Sequence, residues 1–270
     1  MIHLLEHKTV SVRQTFERMM DMKRFFYVLT ALVIVFASMF SALSERGGVV
    51  IFSNLTGNDA FPLKGYKIGI DPGHQEKANS ELEIMMPGTY EKKAKVASGT
   101  RGTTTDIPEY VTNLEVSLKL RDLLTALGAE VLMTRETHDV DISNQERAVM
   151  MNEWGADLVL RIHCNGSTDP FVQGMGMYVR YSGDAYQESY ELGQALLKHM
   201  AEATGAKKAG VFKRNTYTGL NWSTVPSVIV EMGYMTNPEE DVKLNSADYQ
   251  EKLVIGALNG ILEYLKIEIN

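Results

Sequence analysis

Three short apolar runs end on side chains that can hold a metal or carry a proton. The run from Tyr66 to His74 (YKIGIDPGH) alternates through Ile68 and Ile70 and stops at Asp71-Pro72-Gly73, so His74 is displayed on a turn. The runs Asp157 to Gly166 (DLVLRIHCNG) and Pro226 to Gly233 (PSVIVEMG) are built alike, placing His163 and Glu231 just ahead of glycine-bearing turns. In open α/β sheets ligands bind beyond the C-terminal ends of the strands, so His74, His163 and Glu231 are expected to converge on one edge of one sheet. Imidazole binds metals and exchanges protons near neutral pH, and a carboxylate can do either. For one turn histidine alone, satisfying backbone groups would be the better reading; three runs ending alike favour a site.

A second carboxylate, Glu109, opens a helical stretch in which Val116, Leu120, Leu123 and Leu127 recur at helical spacing and Gly128 suits the position after the last turn. At a helix N-terminus Glu109 complements the helix dipole whatever else it does. Two histidines and one carboxylate leave a fourth position open, which is the ligand set of catalytic zinc, although scattered donors specify a metal weakly.

The elements that must position these groups follow in alternation. Residues 129–135 read as a strand, 144–154 as a helix leading into the strand that ends at His163, 176–181 as a strand and 185–203 as a helix. An irregular Gly/Thr/Asn-rich stretch then runs to Thr224, and an amphipathic helix over about 247–266 follows the Glu231 strand. Such alternation predicts an α/β fold: a single three-layer domain with a mostly parallel twisted sheet and helices on both faces. Residues 75–108, polar and broken by Pro87-Gly88 and a Gly/Thr-rich run, read as a long loop. It leaves from His74 and returns to Glu109, so it is expected to border the site.

The 270 residues, 44% hydrophobic and 23% charged, suffice for one good core. A net charge of −7 leaves no basic stripe for phosphates and argues against a nucleic-acid partner. The single cysteine, Cys164, excludes an intrachain disulfide. Residues 25–43 are uncharged and apolar all round, and as a helix would span roughly 28 Å, just enough for a bilayer core. Lys23 and Arg24 precede this run, while Glu45 and Arg46 after it cancel, which predicts a cytoplasmic N-terminus and an exported remainder. The expected organisation is a cytoplasmic tail (1–24), a transmembrane anchor or signal peptide (25–43), a linker (44–65) and a catalytic domain (66–270). An uncleaved anchor would hold the domain at the outer face of a bacterial membrane; cleavage would secrete it to the wall.

Four stretches in order resemble the motifs of the zinc-dependent N-acetylmuramoyl-L-alanine amidases, which cleave bacterial peptidoglycan. They are Lys67 to His74, Pro108-Glu109 with the Leu-rich helix behind it, Arg161 to Asn165 (RIHCN) and Val228 to Asn237 (VIVEMGYMTN). The resemblance covers about residues 66–267. It implies one Zn²⁺ held by His74, Glu109 and His163, Glu231 as the catalytic carboxylate, and peptidoglycan as substrate. Cys164 stands where many relatives carry a small Ala; strand alternation points it away from His163, as a packed residue. His3, His7, His138 and His199 match no motif, and His199 reads as a helix-surface residue.

A membrane-anchored, non-catalytic peptidoglycan-binding module of the same fold is the alternative. It would usually have lost a ligand or the acid–base group, and all four residues are present. A serine hydrolase needs a Gly-x-Ser-x-Gly elbow that is absent, and adjacency alone makes no dyad of His163 and Cys164. Gly174-Met-Gly176 is too short for a nucleotide loop and precedes a strand.

Overall fold

Six strands form one sheet in the order β4-β1-β5-β8-β6-β7, built from β1 (Lys67–Pro72), β4 (Glu130–Met133), β5 (Leu158–Asn165), β6 (Met175–Arg180), β7 (Lys208–Arg214) and β8 (Ser227–Tyr234). β4, β1, β5 and β8 run parallel; β6 turns antiparallel to β8 and carries β7 parallel to itself. The computed structural model describes residues 61–268, so the expected tail, the apolar segment 25–43 and most of the linker lie outside the described residues. Among the described residues no helix is long and apolar enough to cross a membrane. Packing begins before β1, where Leu63 is fully buried and its N–H donates to Leu127 O.

The helices are α1 (Glu109–Ala126), α2 (Asn144–Trp154), α3 (Tyr186–Thr204), the short α4 (Thr218–Asn221), α5 (Pro238–Leu244) and α6 (Ala247–Tyr264). Side chains alternate across each strand, so Ile68, Ile70, Leu158, Leu160, Val228 and Val230 share one face. All six are fully buried there; α1 packs on β1 and β5 and α3 on β8, with α6 against both helices. Each of the six side chains contributes roughly 1.5–3 kcal/mol by leaving water. On the opposite face α2 packs Met151 against Val159. The expected parallel-rich sheet with helices on both faces is therefore present.

Two features bring backbones unusually close. A Cβ on Gly256 of α6 would lie 2.5 Å from Met200 Cα, and one on Gly260 would lie 2.8 Å from Leu196 Cα, so α6 can sit against α3 only with glycine at both places. α2 is framed by a capping box, in which Ser143 Oγ accepts from Glu146 N–H and the Glu146 carboxylate accepts from Ser143 N–H, and ends on Gly155 in the left-handed region.

Two stretches hold more order than their sequences suggest. Within 75–108 the chain forms an antiparallel hairpin of β2 (Asn79–Ile84) and β3 (Lys92–Val96). Its backbone accepts hydrogen bonds from Trp222 Nε1 at Ile84 O and from Asn221 Nδ2 at Met85 O. The stretch read as irregular before Thr224 contains β7, whose run KAGVFKR has only two large apolar residues because it lies at the sheet edge.

Candidate active site

The C-terminal ends of β1, β5 and β8 meet at one edge of the sheet, as the three apolar runs led us to expect. His74 follows β1 with φ +60°, in the left-handed region. A Cβ on Gly73 would lie 2.2–2.5 Å from the His163 ring, so glycine is required there for the two histidines to approach. Their rings meet edge-on with centroids 4.9 Å apart. From the other side α1 delivers Glu109, its first residue. His74 Nε2 lies 3.2 Å from Glu109 Oε2, and His163 Nδ1 lies 3.2 Å from Glu109 Oε1. One ligand atom from each of the three residues falls within 4.8 Å of the others.

The surroundings set the charge and orientation of these donors. Glu109 is 2% exposed and accepts from Thr100 N–H (2.8 Å), Cys164 N–H (3.0 Å) and Asn113 Nδ2 (3.1 Å). Burial by itself would raise its pKa, but the hydrogen bonds and charge of His163 and His74 hold the carboxyl well below the usual carboxylate range. Burial would also lower the His74 pKa; its contact with Glu109 outweighs this and raises it. The Ala97 carbonyl lies 2.8 Å from His74 Nδ1, so in the neutral ring Nδ1 carries the N–H and Nε2 the lone pair. Burial pushes His163 down, favouring the neutral imidazole that a metal needs.

Beneath the site lies a charged support that the sequence did not announce. Asp71 Oδ2 meets Arg161 at 2.8 Å and Asp71 Oδ1 meets Arg147 at 2.8 Å, with all three side chains buried. Burial would raise the Asp71 pKa, but the two guanidinium groups outweigh it and hold the carboxyl far below its ordinary value. Arg147 also donates to the carbonyls of Pro72 and His74, and Arg135 to those of Pro72 and Gly73. The turn that displays His74 is thus clamped through its carbonyls. Arg161, a charge inside an apolar strand, was the one sequence sign that a buried partner must exist. Arg135, Arg147 and Asn113 sit in ordinary polar contexts and gave none.

Glu231 stands opposite His163 in the β5–β8 register. It is 8% exposed, and its Oε2 has no hydrogen-bond partner among the described residues. Burial, with the negative charge of Glu109 adding to it, pushes its pKa up to about 8. Glu231, His74, Glu109 and His163 all line one cavity of about 220 Å³. Lys93 of the hairpin and Tyr217 form part of its wall, so the 75–108 segment does border the site. Cys164 donates its backbone N–H to Glu109, but its thiol is not among the clustered ligand atoms. Burial raises the thiol pKa well above the ordinary value, leaving it an inert packed group. His199 pairs with Glu263 at 2.7 Å on the helix surface and His138 stacks edge-on against Tyr110, both outside the cluster; His3 and His7 lie outside the described residues.

The chain is similar to known proteins over this same region. The family model described as N-acetylmuramoyl-L-alanine amidase matches residues 68–263. An N-acetylmuramoyl-L-alanine amidase of Mycobacterium tuberculosis is 29% identical over 215 residues, covering 75% of this chain and 88% of that protein. The catalytic domain of the amidase CwlV from Bacillus (Paenibacillus) polymyxa superposes with a TM-score of 0.62 at 26% identity, covering 75% of this chain and 99% of that one. An N-acetylmuramyl-L-alanine amidase from Mycobacterium smegmatis shares the fold, with a TM-score of 0.70 at 24% identity over 76% of this chain and 99% of that one.

Proposed function

The chain belongs to the N-acetylmuramoyl-L-alanine amidase family, and from that premise we propose that it hydrolyses the amide between N-acetylmuramic acid and L-alanine of peptidoglycan, with one Zn²⁺ held by His74, Glu109 and His163. The observation that carries the site reading is the convergence of two imidazole nitrogens and one carboxylate oxygen within 4.8 Å, beside the partnerless buried oxygen of Glu231. The donor set fits the metal: an ionised carboxylate and two imidazoles, one fixed in its tautomer by Ala97 O, are the three protein ligands of a catalytic zinc site. Zinc bound there supplies Lewis-acid polarisation of a carbonyl and a water of lowered pKa.

The chain's own residues do the rest. Glu231 takes the proton of the attacking water and delivers it to the alanine nitrogen as the carbon–nitrogen bond breaks. Its buried position keeps bulk water from competing for that proton. Arg135 and Arg147 hold the His74 turn rigid through its carbonyls, and the hairpin closes one side of the cavity. Residues 25–43 anchor the domain to the cytoplasmic membrane with residues 66–270 outside, next to the wall, or serve as a signal peptide that releases it.

The test uses the full chain with purified peptidoglycan, with zinc and then with chelator, and identifies the new chain ends. Free L-alanine amino termini, lost on chelation and restored by zinc, are the expected products. D-amino termini would make the protein a peptidase, and binding without cleavage would make it the non-catalytic module.

A further inference from the structure

The register of the sheet leads outward from Glu231 to an aromatic shelf. Glu231 pairs with Gly176 on β6, and Gly176 with Gly210 on β7, so the row beyond the carboxylate carries no side chains. Phe212 lies down over this bare row: a Cβ at Gly176 or Gly210 would stand 3.5 or 3.3 Å from its ring. Tyr178 stacks beside Phe212 at 5.3 Å between centroids and meets Tyr217, a wall of the cavity, edge-on at 5.5 Å. Two cations stand over the shelf. Lys93 Nζ is 5.7 Å from the Tyr217 ring centre, and the Arg214 guanidinium is 5.6 Å from the centres of both Tyr178 and Phe212.

Neither cation has a carboxylate within ion-pair distance among the described residues. Lys93 donates to Thr216 O at 2.7 Å and Arg214 to Lys213 O at 2.9 Å. An ammonium has three donors and a guanidinium five, so both keep donors for a ligand. Arg161 and Arg147, by contrast, are committed to Asp71. A shelf of three rings under two uncommitted cations suits a ligand that is part apolar and part anionic.

The chemistry of the substrate gives this shelf a direction. On the muramoyl side of the scissile bond the N-acetylated sugars are neutral, because the lactyl carboxyl is itself the acyl group of the amide. The free carboxylates lie on the alanine side, along the stem peptide. A net charge of −7 disfavours the approach of such a peptide, so its capture is helped by local cations. Resting on the amidase reading, we infer that Lys93, Arg214 and the shelf of Tyr178, Phe212 and Tyr217 form the subsite for the acidic stem peptide, and select substrates that carry its free carboxylate.

The test compares two soluble N-acetylmuramoyl peptides, one with the free α-carboxylate of its D-glutamate and one with that group amidated. The zinc-loaded full chain and its Lys93→Gln and Arg214→Gln variants are assayed with both. The ratio of kcat/KM for acid over amide is expected to fall about tenfold in each variant, through KM, as loss of one charge-assisted hydrogen bond implies. In parallel, calorimetry of the acidic stem peptide alone, with Glu231→Gln as host, should show its affinity falling by a similar factor when either cation is replaced. An unchanged ratio, equal losses with both peptides, or losses that track glycan length instead, as a sugar site would give, each overturn the assignment. A wild-type protein that cuts another bond would strike the amidase reading alone, since the peptide titration reads the shelf without turnover.

Discussion

At the scale of single residues the decisive question is what Glu231 does, because a buried carboxylate with a partnerless oxygen is costly unless it is used. Glu231→Gln keeps the shape and removes the proton acceptor. Turnover of peptidoglycan should fall at least about 10²-fold with zinc content and binding retained. Loss of zinc would make it a fourth ligand, and loss of folding a structural group. A second residue-scale prediction concerns Asp71. Its folded pKa lies below the ordinary 3.8, so its contribution to stability is present above that pH and is lost as pH falls through the folded value. Asp71→Asn should cost about 3–5 kcal/mol at pH 7, since it leaves two arginines buried without their partner. It should also flatten the decline in stability below pH 3.8; urea titrations at pH 7 and at pH 3 measure both. His74, His163 and Glu231 were legible in the sequence because each follows an apolar run, although only His74 lies on a turn: β5 continues past His163 to Asn165, and β8 runs past Glu231 through Gly233 to Tyr234. Asp71 hid inside the same turn, its Pro72-Gly73 neighbours accounting for it as punctuation, and its arginine partners come from 76 and 90 residues away.

At the scale of elements, the sheet and main helices could be read from periodicity, because their buried faces are written in repeating apolar positions. The hairpin and β7 could not. β2 and β3 are rich in Glu and Lys and are held by side chains arriving from Asn221 and Trp222, contacts that leave no local pattern. β7 is an edge strand with few apolar residues to bury. The contact of α3 with α6 was also silent, since glycines at 256 and 260 read as weak helix positions costing about 1 kcal/mol each. Their reason is spatial, which reverses the usual sign of substitution. An alanine at an open helix site gains up to about 1 kcal/mol. At Gly256 the new methyl would stand 2.5 Å from Met200 Cα and 2.9 Å from His199 O, both backbone. Overpacking of that kind costs about 1–3 kcal/mol, so Gly256→Ala should lower stability in thermal unfolding. An increase would show that α6 shifts away from α3 freely.

At the scale of the whole molecule, the catalytic domain and residues 25–43 have to be reconciled with a polymeric substrate that lies outside the cytoplasmic membrane. The apolar run is barely long enough for a bilayer, so its orientation rests on flanking charge. Lys23 and Arg24 immediately precede the run, while Glu45 and Arg46 cancel on the other side, and by the positive-inside rule the short tail is expected to stay inside. The stretch 44–65, with Gly47-Gly48, Gly57-Asn58 and Pro62, reads as a linker, and linkers are where proteases cut first. Protease added outside intact spheroplasts should therefore sever residues 66–270 from the cell and leave the tail protected, as tags at the two ends would report. A cleaved signal peptide would instead place the tagged domain in the medium before any protease is added. A domain still protected inside intact spheroplasts would reverse the orientation, and with it the access to peptidoglycan on which the amidase reaction depends.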